Sequence, residues 1–215
     1  MNGAAMRRDV RIQLDDVTLP GTLSLPMDAG GLVIFAHGSG SSRLSPRNTF
    51  VARVLQNAGI GTLLFDLLTA EEDRRYENRF NIDLITGRLV KTTDWVEGQP
   101  DTKTLRYGYF GASTGAAAAL RAAAQAGGKI AAVVSRGGRP DLAMESLPRV
   151  TAPTLLIVGG FDDVVIELNR RALEKLTGVK KLEIVPGASH LFEEPGTLER
   201  VAELAAQWFK KYLSP

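Results

Sequence analysis

Residues 105–120 read Leu105-Arg106-Tyr107-Gly108-Tyr109-Phe110-Gly111-Ala112-Ser113-Thr114-Gly115-Ala116-Ala117-Ala118-Ala119-Leu120. The first part is apolar and aromatic and suits a buried strand. The last part is alanine-rich and suits a helix that packs closely. Gly111 to Gly115 form the junction, with the spacing Gly-x-Ser-x-Gly. The bare pattern is common and fits an inert glycine-rich turn. Strand before and helix after give it weight, because that is the setting of a nucleophile elbow. The chain must turn sharply there, leaving Ser113 strained with its hydroxyl projecting from the sheet. The flanking glycines let strand and helix approach. The helix then directs its positive N-terminal end at the site.

Other elements follow the same pattern. Leu32–Ala36 is continuously apolar, as a strand covered on both faces should be. The same type recurs at 61–65, 130–134, 154–158 and 181–185. Helical periodicity runs through 48–58, 82–96, 114–126, 164–176 and 197–213. Residues 9–14 and 17–25 instead alternate polar and apolar positions, as antiparallel edge strands do. The order predicts an α/β fold: a mostly parallel central sheet with an antiparallel N-terminal edge and helices on both faces. Residues 66–81, rich in charge, read as a mobile solvated loop. Neither a repeat nor a linker interrupts the pattern, so residues 1–215 read as one domain.

Composition narrows the function classes. The chain has 215 residues, 44% hydrophobic and 23% charged, ordinary globular values. No apolar run approaches the roughly 18 residues of a membrane span. Arg7 and Arg8 are not followed by the apolar core of a secretory signal. The absence of cysteine excludes disulfides, cysteine-based zinc sites and a cysteine nucleophile. It also fits a cytoplasmic protein. The net charge is only +2 and bases are scattered among acids, so no nucleic-acid footprint is expected. The densest basic group, Arg43, Arg47 and Arg53, reads as a solvated loop and helix face. With two histidines in the chain, one of them needed beside Ser113, no metal site is expected, nor any cofactor.

A serine hydroxyl needs a base, usually histidine. His37 precedes Ser113, whereas the expected chain order is serine, acid, histidine. His190 follows the last strand, in Pro186-Gly187-Ala188-Ser189-His190, and is the candidate base. The acid should follow the strand at 154–158, where Gly159-Gly160-Phe161-Asp162-Asp163 begins. Asp163 directly precedes a helical run and is suited to cap it, which leaves Asp162 to orient the imidazole. His37-Gly38-Ser39-Gly40 follows the first buried strand. Its Ser39 amide, with Gly40 as the alternative, is expected to join that of Thr114 in an oxyanion hole, with His37 holding the loop. Gly40, Arg43, Arg136 and Arg139 are candidate contacts for a substrate, the arginines for an acidic group. Surface ion pairing is the commoner fate of such arginines.

Together, His37-Gly38-Ser39-Gly40, Gly111-Ala112-Ser113-Thr114-Gly115, Gly160-Phe161-Asp162 and His190 resemble the α/β-hydrolase superfamily over nearly the whole chain. Small size and short connections resemble the dienelactone-hydrolase-like branch. So does Arg136-Gly137-Gly138-Arg139-Pro140-Asp141-Leu142, similar to small hydrolases of that branch, some of them fused to phosphoribosyltransferases. Dienelactone hydrolases proper use a cysteine nucleophile, and this chain has none. The resemblance therefore implies a serine carboxylesterase acting through an acyl-enzyme on Ser113. About fifteen to twenty residues separate Val134 from Pro153, the length of a plain connection. The lid should be minimal and the site open, suiting small soluble short-chain esters. The same machinery serves thioester, lactone or peptide bonds, and a non-catalytic binding module is the reading from another class. A small-molecule ester is the expected partner, with no nucleic acid or membrane, and a monomer or small homo-oligomer is expected.

Overall fold

The protein is described by a computed structural model covering residues 6–214. Eight strands form one sheet: β1 (Met6–Gln13), β2 (Thr18–Leu25), β3 (Gly31–Ala36), β4 (Gly61–Phe65), β5 (Arg106–Ala112), β6 (Ile130–Arg136), β7 (Thr154–Gly159) and β8 (Lys180–Val185). Their order is β1-β2-β4-β3-β5-β6-β7-β8. The β1–β2 and β2–β4 pairs are antiparallel, and every other pair is parallel. The expected architecture is therefore present, including its antiparallel N-terminal edge.

Five helices cover the sheet: α1 (Pro46–Asn57), α2 (Ile82–Glu97), α3 (Thr114–Ala126), α4 (Asp163–Lys175) and α5 (Thr197–Leu213). Helices α1 and α5 close one face through Val51, Leu55, Val201 and Phe209. Helices α2, α3 and α4 close the other through Leu89, Leu120 and Ala172. Strands β3, β4 and β7 are buried along their whole length, which explains their unbroken apolar sequences. The alanines of α3 have a packing purpose. Ala116 to Ala119 are all fully buried, and small side chains let the helix backbone lie close to the sheet.

Strand order reverses at β3: β4 lies on one side and β5 on the other. Loops leaving neighbouring strands at such a point diverge and open a crevice at the carboxyl ends of the strands. His37–Gly40 leaves β3 there and Ser113 leaves β5. Residues 137–153 cross that end in two short turns, Pro140–Ala143 and Leu147–Arg149, so no lid is evident.

Residues 66–81 depart from the loop expected there. They form two 3-10 turns, Glu72–Arg74 and Tyr76–Phe80. Arg79 binds both carboxylate oxygens of Asp73, and Glu72 binds Arg88 of α2 at 2.7 Å. Charge read locally as solvation is instead used for tethering.

Candidate active site

Ser113 sits at the tip of the β5–α3 turn with φ 51° and ψ −120°. A non-glycine residue in that region carries strain of about 1–3 kcal/mol, held by its surroundings. Here the surroundings are specific. The Ser113 amide donates to the carbonyl of Arg136, and its own carbonyl accepts from the amides of Ala116 and Arg139. A Cβ on Gly111 would collide with the backbone of Ala116, and one on Gly115 with the carbonyls of Ala36 and His37. The turn is therefore closed on both sides by backbone that only glycine admits.

His190 reaches the same place from the loop after β8. Its Nδ1 lies 2.6 Å from Asp162 Oδ2, a length typical of a charge-assisted bond. Backbone bonds bring the two together: the Phe161 amide donates to the carbonyl of Ala188, and Gly160 to Val185. Glu194 Oε2 accepts the Ser189 amide at 3.0 Å, bracing the histidine loop; these amide bonds hold its carboxyl below the usual range. On the other side Gly137, at φ 52°, passes so close that a Cβ would meet the His190 carbonyl at 3.2 Å. Asn169 of α4, fully buried, donates to the carbonyl of Gly138 and steadies that passage. Ser113 Oγ and His190 share the cleft with no hydrogen bond between them among the described residues, which is common until a substrate draws such a pair together.

The two aspartates are arranged differently from expectation, which had Asp163 capping the helix. Helix α4 begins at Asp163, so Asp162 holds the N-cap position, yet its side chain makes no capping bond. It is directed to His190 instead, while Asp163 is exposed. A residue that forgoes its capping bond for an imidazole is placed for something other than helix stability.

The β3 loop is held as expected by His37, but one amide is differently used. Leu67 N–H donates to His37 Nε2 at 3.0 Å, so Nδ1 carries the proton and donates to the Gly38 carbonyl at 2.9 Å. Burial holds the imidazole below its ordinary pKa, against the opposing pull of that carbonyl and of Asp66 and Asp73. The Ser39 amide, expected to stand free, donates to Thr114 Oγ1 at 2.9 Å. The Thr114 amide, first in its helix, has no acceptor among the described residues.

The cleft holding Ser113 has a volume of about 250 Å³ and is lined by Gly38, Ser39, Arg47, Asn48, Arg136 and His190 among others. Among the substrate candidates, Arg136 lines it. Arg43 does not: its amide and guanidinium both bind Asp66. Arg139 is likewise taken up by Asp141. Gly40 is exposed and faces a neighbouring crevice with His37 and Leu67. Arg47 and Asn48 were not singled out by sequence; Arg47 was grouped with a solvated face. The available signal was their place, directly after the β3 loop at the start of α1. Among the described residues, no cluster of acids and histidines is arranged to hold a metal, and no helix is long and apolar enough to cross a membrane.

The profile of the dienelactone hydrolase family matches residues 56–214. The chain belongs to the dienelactone hydrolase family. A dienelactone hydrolase from Anabaena variabilis has a solved structure 57% identical in sequence, with a TM-score of 0.95, covering 97% of this chain and 99% of that one. The esterase domain of a Rhodothermus marinus protein shares the fold at 18% identity, with a TM-score of 0.78 over 97% of this chain and all of that one. A Mycobacterium tuberculosis protein named as a phosphoribosyl transferase is 58% identical over 205 residues, covering 95% of this chain and 46% of that protein. The chain thus spans about half the length of that relative.

Proposed function

We propose that the protein is a serine hydrolase cleaving small carboxylic esters through an acyl-enzyme on Ser113. The observation that carries this is the convergence of a strained Ser113 and the 2.6 Å Asp162–His190 pair on one cleft. In the proposed reaction His190 Nε2 takes the Ser113 proton as Oγ attacks the ester carbonyl. Asp162 holds the Nδ1–H tautomer and stabilises the imidazolium that forms. Charge developing on the carbonyl oxygen meets the Thr114 amide at the positive end of α3. The Ser39 amide completes the hole once Thr114 Oγ1 yields it, and Gly40 is the alternative. His190 then protonates the leaving alcohol, and water repeats the sequence on the acyl-enzyme. A cleft of about 250 Å³ lies below the usual range for drug-sized ligands, which supports short acyl chains.

The phosphoribosyl transferase name belongs to a protein about twice as long, and the site described above supports acyl rather than phosphoribosyl transfer. Short-chain p-nitrophenyl esters and a fluorophosphonate label test the reading. The wild-type protein should release nitrophenol and take the label. Ser113→Ala should do neither, with kcat lower by on the order of 10⁴-fold or more. A wild-type protein that releases no nitrophenol and resists the label overturns the proposal.

A further inference from the structure

The cleft contains a cation that no acid among the described residues neutralises. Arg136 is only 7% exposed. Its guanidinium offers five N–H donors, yet it makes no hydrogen bond and no ion pair among the described residues. Its Nε is buried without an acceptor. Other arginines differ: Arg43 has Asp66, Arg79 has Asp73 and Arg139 has Asp141. Among the described residues the partner of Arg136 is the ring of Phe192, with the guanidinium carbon 5.9 Å from its centre. A ring face attracts the charge but leaves the N–H groups unsatisfied.

Next to it stands a second cation. Arg47 lines the same cleft, and its only acid is Glu193, 3.2 Å away, whose side chain is 64% exposed. Its Nε is also without an acceptor. The two guanidinia are close enough that Arg47, after burial, helps push the Arg136 pKa down to about 10. Arg136 remains charged at neutral pH all the same. Two cations that repel each other, one of them desolvated, are costly to keep together. A negative group placed between them removes that cost.

The cleft lining limits where such a group would lie. Arg136 and Arg47 line the same cleft as Ser113 and His190, and the Arg136 main chain is held against the elbow by its pairing with Ala112 and by the Ser113 amide. The unpaired cation therefore shares the cleft of the candidate nucleophile. We propose that Arg136 and Arg47 form an anion subsite that binds a carboxylate or phosphate group carried by the substrate, a few atoms from the scissile carbonyl. This rests on the ester-hydrolase reading for its catalytic consequence but not for anion binding itself. Arginine forks suit both oxyanions, and the cleft volume leaves room for only a short spacer.

Two measurements test it. The first is kcat/KM for monoethyl succinate relative to ethyl butyrate, esters of similar size that differ in charge. The wild type should favour the succinate by about tenfold or more. Arg136→Met should lower that ratio by about 10- to 100-fold, the worth of a charged hydrogen-bonding contact. Arg47→Gln, at the rim and so a safer variant for folding, should lower it several-fold. Arg53→Gln removes an equal charge outside the cleft and should leave the ratio unmoved. The second is calorimetric binding of inorganic phosphate and of succinate to Ser113→Ala protein. Binding by either supports the subsite and names the preferred oxyanion; its loss in the double variant with Arg47→Gln assigns it to this cleft. If neither anion binds and the wild type shows no preference for the charged ester, the proposal is overturned. A wild type that cleaves neither ester sinks the esterase reading alone, because calorimetry still decides the subsite.

Discussion

Arg88 and Arg136 are both almost fully buried, and the protein treats them in opposite ways. Arg88, on α2, binds Asp16 of the β1–β2 turn at 2.8 Å and Glu72 of the 66–81 segment at 2.7 Å. Burial alone would lower its pKa, but the bonds to Asp16 and Glu72 outweigh it and hold the group above its ordinary value. It ties three pieces of chain to one point. Arg136 has no acidic partner among the described residues, and its Nε is buried without an acceptor. The difference separates two kinds of surroundings. Around Arg88, polar groups satisfy one another and stabilise the fold. Around Arg136, strain and unpaired charge accumulate: Ser113 and Phe192 are, among the described residues, the two non-glycine residues at positive φ, and both lie beside Arg136. A region that stores unfavourable terms next to a candidate nucleophile is arranged for a ligand rather than for stability.

Four substitutions probe that contrast, beginning with the largest expected effect. Asp162→Asn should lower kcat on a short ester by on the order of 10⁴-fold, because an amide favours the wrong imidazole tautomer. Asp163→Asn, one residue along on the exposed start of α4, should leave kcat close to wild type. A greater loss at position 163 reverses the acid assignment. Arg88→Met should leave turnover intact and lower stability by about 2–3 kcal/mol, less than breaking a fully buried pair because Asp16 is largely exposed. That corresponds to a fall of about 5–10 °C in Tm for a chain of this size. Arg136→Met should shift Tm the other way, upward by about 2–4 °C, as an uncompensated charge leaves the interior. Should both variants lose stability alike, Arg136 is an ordinary structural cation and the contrast collapses.

Sequence made the surroundings of Arg136 legible and those of Arg88 opaque, for a physical reason. Elbow, acid loop and histidine loop are each short, local and glycine-marked, so Gly111–Gly115, Gly159–Asp162 and His190 announce themselves by spacing. Strands such as β3 and β7 do so by unbroken apolarity. Ion pairing depends on side-chain geometry and often joins residues far apart in the chain. Nothing near Arg88 points to Asp16, 72 residues away, and the charges of 71–75 therefore read as a solvated loop. Arg43 is claimed by Asp66, 23 residues away, and Arg139 by Asp141 only two residues along, a contact that depends on rotamers rather than on spacing, so neither pairing separates them from Arg136 in the sequence. The Ser39 amide was expected to stand free as an oxyanion donor, and its bond to the Thr114 hydroxyl depends on a rotamer that spacing does not encode.

The smallest effect concerns His37, which belongs to the satisfied class although its loop lines the cleft of Ser113. Its Nε2 accepts the Leu67 amide and its Nδ1–H serves Gly38, an arrangement open only to the neutral ring. The folded-state pKa is held below the ordinary 6.5 by burial. At mildly acid pH the unfolded chain therefore binds the proton more readily than the folded one. The contribution of His37 to stability is complete above about pH 6.5 and is lost as pH falls through the lowered folded value. Carboxylates such as Glu72 and Glu194, also held low, act in a lower window, and His190 is common to wild type and variant, so the difference between wild type and His37→Gln from pH 7 to pH 5.5 isolates the His37 share. Wild-type Tm should fall slightly between those two values. His37→Gln should start from a lower Tm, having lost at least one loop bond, and should vary less over the interval. An equal slope in the variant would mean that the imidazole is not held neutral, and that the β3 loop is fixed by Gly38 and Thr114 alone.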